Sequence, residues 1–230
     1  MYIYGKNVAE EALLKGEKIK QAFIYEKFND KNLLNKISSK NIKINYVTKY
    51  DLDRLQSGNH QGIILEVPDY DYASLDEVLE EEIIVMLDHL EDPHNLGAII
   101  RTCEAAGIKS LIIPKDRSVR VNATVIKVSV GAIENVKIAM VNNLVNTLKE
   151  LKDKGYWVIG TDMEGTDFKK IDYSGKIIIV IGSEGKGLSR LTEENCDFIA
   201  SIPMRGEVNS LNASVAAALV IYEAVRNRGV

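Results

Sequence analysis

Five apolar runs in the last two thirds of the chain, IIVML (83–87), SLIIP (110–114), YWVIGT (156–161), KIIIVIG (176–182) and FIASIP (198–203), limit the possible folds more than any other feature. They do not alternate apolar with polar residues as a strand with one wet face does. Continuous runs of this kind belong to strands covered on both faces. Stretches with helical patterning lie between and after them, at about 95–106, 123–131, 141–154, 188–195 and 210–226. Strands and helices in turn predict an α/β domain built on an open parallel sheet. In such sheets ligands gather at the carboxyl ends of the strands, so the loops after residues 87, 114, 161, 182 and 203 are the ones to read for chemistry.

Residues 1–67 read as a separate, smaller α/β unit. A helix over NVAEEALLKG, a strand QAFIYE, a helix KNLLNKISSK, a strand KINYV and a short helix KYDLDRLQ lead into the strand-like GIILEV. Asn7 is the expected N-cap of the first helix and Gly16 its C-cap. His60 in GNHQG reads as a polar loop residue with no partner placed to tune it. Residues 68–82, PDYDYASLDEVLEEE, carry seven acids and no base. They are expected to form an acidic linker ending in a short helix that starts near Ser74, with Glu77 in capping-box position. The predicted organisation is therefore 1–67, a linker over 68–82, and 83–230.

The formal charge of −4 does not exclude a nucleic-acid partner, because the acidity is local: residues 1–67 carry 11 Lys/Arg against 8 Asp/Glu, and residues 83–230 carry 18 of each. The N-terminal MYIYGKNVAEEALLKGEKIK has no apolar segment between a basic start and a cleavage site, and nowhere do about 18 uncharged apolar residues run together. A cytoplasmic protein with no membrane partner is expected. Cys103 and Cys196 stand far apart with no second Cys or His at ligand spacing, so both are expected to be reduced packing residues, and no metal site is expected.

Three loops carry the candidate chemistry. In LDHLEDPHNLGAIIRTCEAAG, Pro93 and Asn95 restart the chain as a helix that holds Arg101, six residues after Asn95. Arg101 sits among small and apolar neighbours, which suits either a structural ion pair or a guanidinium aimed at a phosphate or a developing oxyanion. In VIGSEGKGLSR, Gly182, Gly185 and Gly187 permit close approach of backbone to a ligand, and Glu184 is a carboxylate inside that loop. The pattern is neither G-x-G-x-x-G nor a phosphate-binding Walker loop, since Leu188-Ser189 stands where Lys-Ser/Thr would be required. In IPMRGEVNSLNASVAAALVIYEAVR, Ser210 or Asn209 is the expected cap of a buried helix, and Asn212 adds a third polar residue at its start.

Together these stretches resemble the SpoU/TrmH branch of the SPOUT RNA methyltransferases. NLGAIIRT is similar to that family's first motif, IGSEGKGLS to its second, and IPMRGEVNSLNASVAAAL to its third, in the same order over residues 83–228. Ala213 departs from the family's usual Val. YGKNVAEEALLKG with NHQGIILEVP resembles the small RNA-binding domain, similar to certain ribosomal proteins, that precedes the catalytic domain in ribosomal-RNA members. The resemblance implies a deep C-terminal trefoil knot, where pattern alone predicts an unknotted sheet. It also implies a homodimer through the catalytic domains, S-adenosylmethionine as cofactor, and methylation of a guanosine ribose 2′-hydroxyl in 23S ribosomal RNA. Transfer RNA as substrate, or a non-catalytic ribosome-assembly protein, are the alternatives.

On that resemblance Arg101, Asn95, Glu184, Ser210 and Asn212 form the catalytic and substrate side. Thr161, Gly182, Gly187, Ile202 and Leu211 cradle the cofactor. Guanidinium stays protonated at ordinary pH, so Arg101 is read as gripping a phosphate and lowering the hydroxyl's effective pKa rather than as a base, in its own or a partner's pocket. Lys115, Arg117 and Arg120 in PKDRSVRVN are expected to grip RNA at the same end of the sheet.

Overall fold

In the computed structural model, which describes residues 1–208 and 210–228, the chain divides into two units, Met1–Asp71 and Tyr72–Val230. The first unit runs β1 (Tyr2–Tyr4), α1 (Lys6–Lys15), β2 (Gln21–Tyr25), α2 (Lys31–Ser39), β3 (Lys43–Val47), α3 (Lys49–Leu55) and β4 (Ile63–Glu66). Its strands lie in the order β1-β4-β2-β3, with β2 and β3 parallel and β4 antiparallel to both its neighbours. Strand β1, which pairs Ile3 with Leu65, was not expected, because three residues are too few to show a period.

Helix starts in this unit follow from short side chains that hydrogen-bond their own backbone. Asp30 Oδ1 accepts from Leu33 N at 3.1 Å, and Thr48 and Asp51 complete a reciprocal capping box; each cap contributes about 1 kcal/mol. The expected Asn7 cap is not used. Gly5 holds the cap position of α1 with no side-chain bond, while Gly16 ends the helix in the left-handed conformation, as its lack of Cβ allows. Ile24, Leu33, Ile37, Leu52 and Ile63 are fully buried between sheet and helices, each contributing about 1.5–3 kcal/mol. His60 is also buried, contrary to its reading as an unpartnered loop residue: Nε2 lies 3.0 Å from Asp53 Oδ1, and Nδ1 accepts from Gly62 N at 3.0 Å. The partner was missed because only the turn after α3 brings Asp53 to it.

The second unit runs α4 (Leu75–Val78), β5 (Ile83–Leu87), α5 (Pro93–Ala105), β6 (Ser110–Pro114), α6 (Ala123–Ser129), β7 (Lys137–Val141), α7 (Leu144–Asp153), β8 (Trp157–Asp167), β9 (Ile177–Ile181), α8 (Arg190–Glu193), β10 (Phe198–Ser201) and α9 (Ala213–Arg226). Six strands lie in the order β10-β8-β9-β5-β6-β7, and every neighbouring pair is parallel. Edge strand β7 is the one not expected. Residues 72–82 of the expected linker belong to this unit: Ala73 bridges Ala139, Ser74 and Glu77 form the expected capping box, and Val78 is fully buried, its carbonyl accepting from Ser110 Oγ.

On one face of the sheet Leu148, Leu151 and Val78 pack on Met86, Val158 and Val180. On the other, α5 packs against α6 and α9. Gly97 makes the α5–α6 approach possible, since a Cβ there would lie 2.7 Å from Val128 Cβ. The register of β10 on β8 jumps from Ile199↔Gly160 to Ala200↔Thr166, so residues 161–165 fall outside the ladder with β10. That excursion is why β8 outruns its expected end at 161, and it turns Thr161, Asp162 and Met163 toward the carboxyl end of the sheet.

Candidate functional site

A cavity of about 780 Å³ opens at the carboxyl ends of β8, β9 and β10. The β8 excursion, the glycine loop after β9 and the segment leading into α9 form its walls. The glycine loop is shaped by sterics. Gly182 follows the last residue of β9, and a Cβ on it would sit 2.4 Å from the Gly187 carbonyl carbon. Only glycine fits there. Ser183 and Gly187 then exchange backbone hydrogen bonds of 2.9 and 3.0 Å, closing the loop at its neck, and Gly185 and Gly187 adopt φ of 74° and 64°, which glycine reaches without strain. Leu188 is buried and anchors the exit.

Glu184, carried on this loop, ties three distant segments together. Its Oε1 accepts from Nδ2 of Asn95, a buried residue in the first turn of α5, and from Asn212 Nδ2 at 3.0 Å. Asn212, not Ser210, caps α9: its Oδ1 accepts from Ser214 N at 2.9 Å and Val215 N at 3.4 Å. The remaining expected cap, Asn209, lies outside the described residues. Helix α5 begins earlier than expected, with Asp92 as its cap and Pro93 in its first turn, because Asp92 Oδ1 accepts from His94 N at 2.9 Å.

The structure brings Thr161, Gly182, Gly187, Ile202 and Leu211 to the wall of one cavity, with Glu184 and Ser210 beside them. Asn95 and Asn212 join through Glu184. Arg101 is not in the lining. It is exposed on α5, and among the described residues it has no ion pair. The buried neighbours Ile99, Ile100 and Cys103 occupy the other side of the helix, which turns Arg101 outward. Lys115, Arg117 and Arg120 are exposed in the loop after β6, at the same sheet edge but outside the lining.

Two acids were missed. Asp88, directly after β5, is fully buried; it pairs with His89 Nδ1 and accepts from Ser189 N at 2.6 Å, tethering the exit of the glycine loop to β5. Asp162 lies against Gly187, where a Cβ would meet its Oδ2 at 2.7 Å. An acid that directly follows an unbroken apolar strand at the ligand-binding edge was the available signal for both.

The lining carries three carboxylates, Asp162, Glu184 and Glu207, against one cation, Lys186, together with apolar Ile202, Pro203, Met204 and Leu211. Such a wall suits an organic cation that carries a flat apolar ring system. Both cysteines lie away from this chemistry: burial pushes the Cys103 and Cys196 thiols up to about 12, which keeps them protonated.

Residues 82–222 match the model of the SpoU rRNA Methylase family, and residues 2–73 match that of the RNA 2′-O ribose methyltransferase substrate binding domain. A Bacillus subtilis (strain 168) protein whose name places it in the TrmH family of tRNA/rRNA methyltransferases is 43% identical over 99% of this chain and 96% of its own length. The AdoMet-bound rRNA methyltransferase from Sinorhizobium meliloti superposes with a TM-score of 0.69 at 26% identity, covering 98% of this chain and 86% of that one. The TrmH/SpoU tRNA modifying enzyme of A. aeolicus gives a TM-score of 0.60 at 34% identity, covering 66% of this chain and 80% of that one.

Proposed function

Because the chain belongs to the SpoU rRNA methylase family, we propose that it transfers a methyl group from S-adenosylmethionine to the ribose 2′-hydroxyl of a guanosine in 23S ribosomal RNA. The observation that carries this reading is the cavity at the carboxyl ends of β8, β9 and β10, whose acidic and apolar lining fits the cofactor's charge and its adenine. S-adenosylmethionine, when bound, supplies an electrophilic methyl group on a sulfonium sulfur. Thr161, Gly182, Gly187, Ile202 and Leu211 would hold it, the glycines by close backbone approach and the two aliphatic side chains by apolar contact. Asp162, Glu184 and Glu207 offset its positive charge.

The remaining difficulty is the poor acidity of a ribose hydroxyl. Arg101 presents a permanently charged guanidinium with no competing carboxylate among the described residues. Held against the phosphate beside the target ribose, it stabilises negative charge on the 2′-oxygen and lets the proton pass to water. Asn95, Glu184, Ser210 and Asn212 shape the substrate side, and Lys115, Arg117 and Arg120 grip RNA.

Since Arg101 does not line the cavity of its own chain, it serves the pocket of a second copy in this reading. Val215, Leu219 and Tyr222 leave an exposed apolar stripe along α9 at the i, i+4, i+7 spacing of one helix face. A homodimer through this unit would cover it. A trefoil knot through the C-terminal loops and a cytoplasmic location complete the proposal. Among the described residues no helix is long and apolar enough to cross a membrane.

Coverage favours ribosomal over transfer RNA. The Sinorhizobium rRNA enzyme matches 98% of this chain and the tRNA enzyme 66%, and a substrate-binding domain model matches residues 2–73. The test is methyl incorporation from radiolabelled S-adenosylmethionine into deproteinised large-subunit ribosomal RNA and into transfer RNA, both from cells lacking the enzyme. Label recovered as 2′-O-methylguanosine in ribosomal RNA is expected; label in transfer RNA alone overturns the substrate. Arg101→Ala is expected to lower turnover about 10²-fold with cofactor affinity unchanged. A non-catalytic binder would show no incorporation with either protein.

A further inference from the structure

We propose that the first unit carries a nucleotide-binding site of its own, a cavity that takes one unstacked nucleotide from a single-stranded segment of the RNA substrate. The proposal rests on the reading above that the chain acts on RNA. The cavity measures about 530 Å³, within the range of about 300–1,000 Å³ common to small-molecule pockets. Lys6, Lys27 and Lys49 line it, with the rings of Tyr25 and Phe28.

Its charge is arranged to receive an anion. Lys27 and Lys49 are exposed and have no ion pair among the described residues. Asp53, the one carboxylate in the wall, is held by His60 Nε2 at 3.0 Å. Because His60 Nδ1 accepts from Gly62 N, the ring proton sits on Nε2 and points at that carboxylate. Lys6 reaches Asp30 Oδ2 only at 3.5 Å and stands 5.0 Å from the Phe28 ring centre.

The wall is also built before any ligand arrives. Gln61 Oε1 accepts from Lys6 N at 2.9 Å, and Gly62 O accepts from Tyr25 N at 2.9 Å, so the loop 58–62 is fastened to both α1 and the end of β2. Gln61 and Gly62 take φ of 50° and 85°. A Cβ at Gly62 would lie 3.0 Å from Phe28 Cδ2, so glycine lets the loop close on the ring's edge. Strain of this kind in a non-glycine residue persists only where the surroundings fix it, and a preformed wall lowers the entropy cost of binding.

A phosphate by itself would need only the lysines. Tyr25 and Phe28 bring aromatic side chains to the wall, and base–aromatic contact contributes about 1–3 kcal/mol per base. A base paired within a duplex cannot enter a recess, which points to a loop, bulge or strand end.

The test uses the full chain and two labelled RNAs, a hairpin with a short single-stranded loop containing 4-thiouridine and a blunt duplex with the same stem, followed by fluorescence anisotropy over a range of salt. Lys27→Glu and Lys49→Glu are each expected to weaken hairpin binding about tenfold and to flatten its salt dependence. Duplex binding and the melting temperature are expected to stay unchanged. Lys43→Glu, on exposed β3 outside the cavity, is the control. Photo-crosslinks are expected on Tyr25 or Phe28. Unchanged hairpin affinity in both variants, equal loss on hairpin and duplex, or crosslinks that map elsewhere would each overturn the site. A wild-type chain that crosslinks here but methylates no RNA overturns the earlier reading and leaves this one standing. One that methylates RNA with the same KM after both substitutions does the reverse.

Discussion

Gly182→Ala tests whether the glycine loop owes its shape to sterics. The added methyl would sit 2.4 Å from Gly187 C, 2.6 Å from Gly187 O and 2.7 Å from Leu188 N, all backbone atoms with no flexible end to swing aside. To admit it, the strand that returns through Gly187 must move by several tenths of an ångström, and the two Ser183–Gly187 hydrogen bonds of 2.9 and 3.0 Å must open. Their loss costs about 0.5–1.5 kcal/mol each, and overpacking adds about 1–3 kcal/mol. The sum is about 2–6 kcal/mol, so a mid-range loss of about 4 kcal/mol lowers the melting temperature by about 8–16 °C at this chain length. Gly185→Ala is the internal comparison. It lies in the same loop with a φ of 74°, yet a Cβ there meets nothing within 4 Å, so only left-handed strain of about 1–2 kcal/mol is added. Thermal melting and S-adenosylmethionine titration by calorimetry read both variants. Gly182→Ala is expected to lose more stability than Gly185→Ala and at least about tenfold in cofactor affinity, about 1.4 kcal/mol. Equal stabilities, or an unchanged cofactor affinity in Gly182→Ala, would refute the steric argument.

Glu184→Ala removes the acceptor of the buried Asn95 amide, which is expected to cost about 1–3 kcal/mol in urea unfolding, whereas Glu184→Gln keeps an acceptor oxygen and stays close to wild type; equal losses would show that the carboxylate's charge matters more than its bonds. Both cysteine thiols, pushed up to about 12 by burial, are expected to resist iodoacetamide in the folded chain and to label on unfolding, as mass spectrometry would report; modification of Cys103 at the unfolded rate would contradict its burial. Hydrogen bonds from the Ser74 backbone and hydroxyl hold the Glu77 carboxyl below its ordinary 4.5. The folded value is depressed, so this cap stabilises α4 fully above about pH 4.5 and is lost as pH falls through the lowered value. Amide exchange at the start of α4 should accelerate on acidification, and Glu77→Gln should remove that pH dependence.

Where the sequence was legible, the reason was a repeated physical constraint. Runs such as IIVML and KIIIVIG announce strands covered on both faces, and five of the six strands of the parallel sheet carry that mark. Strand β7, KIAMV, escaped because it is an edge strand that begins on the exposed Lys137 and lies between two helical patterns. The glycine loop was readable because only glycine tolerates the contacts at Gly182. His60–Asp53 and Asp88–Ser189 were not, since they join residues that only the folded backbone brings together. The outward turn of Arg101 could have been found from helical period alone: with Ile99, Ile100 and Cys103 committed to the core, residue 101 is left on the opposite side.

Arg101 also explains why a single chain is an incomplete description of the proposed reaction. A guanidinium with no carboxylate partner contributes little to stability where it stands, and surface charges of this kind are usually worth no more than about 0.5 kcal/mol. Its neighbours on α5 are committed to packing, with Gly97 closed against Val128 and Asn95 bound to Glu184, so the helix holds the arginine at a fixed place on the surface. The cavity, meanwhile, is walled on the acidic and apolar side by residues of β8, β9 and the lead into α9, and its one lining cation is Lys186 on the glycine loop. A phosphate brought to that cavity would meet three carboxylates there. Pairing two chains across the exposed Val215–Leu219–Tyr222 stripe is the economical way to place a permanent cation opposite those carboxylates, which is why the dimer belongs to the proposed chemistry rather than to stability alone.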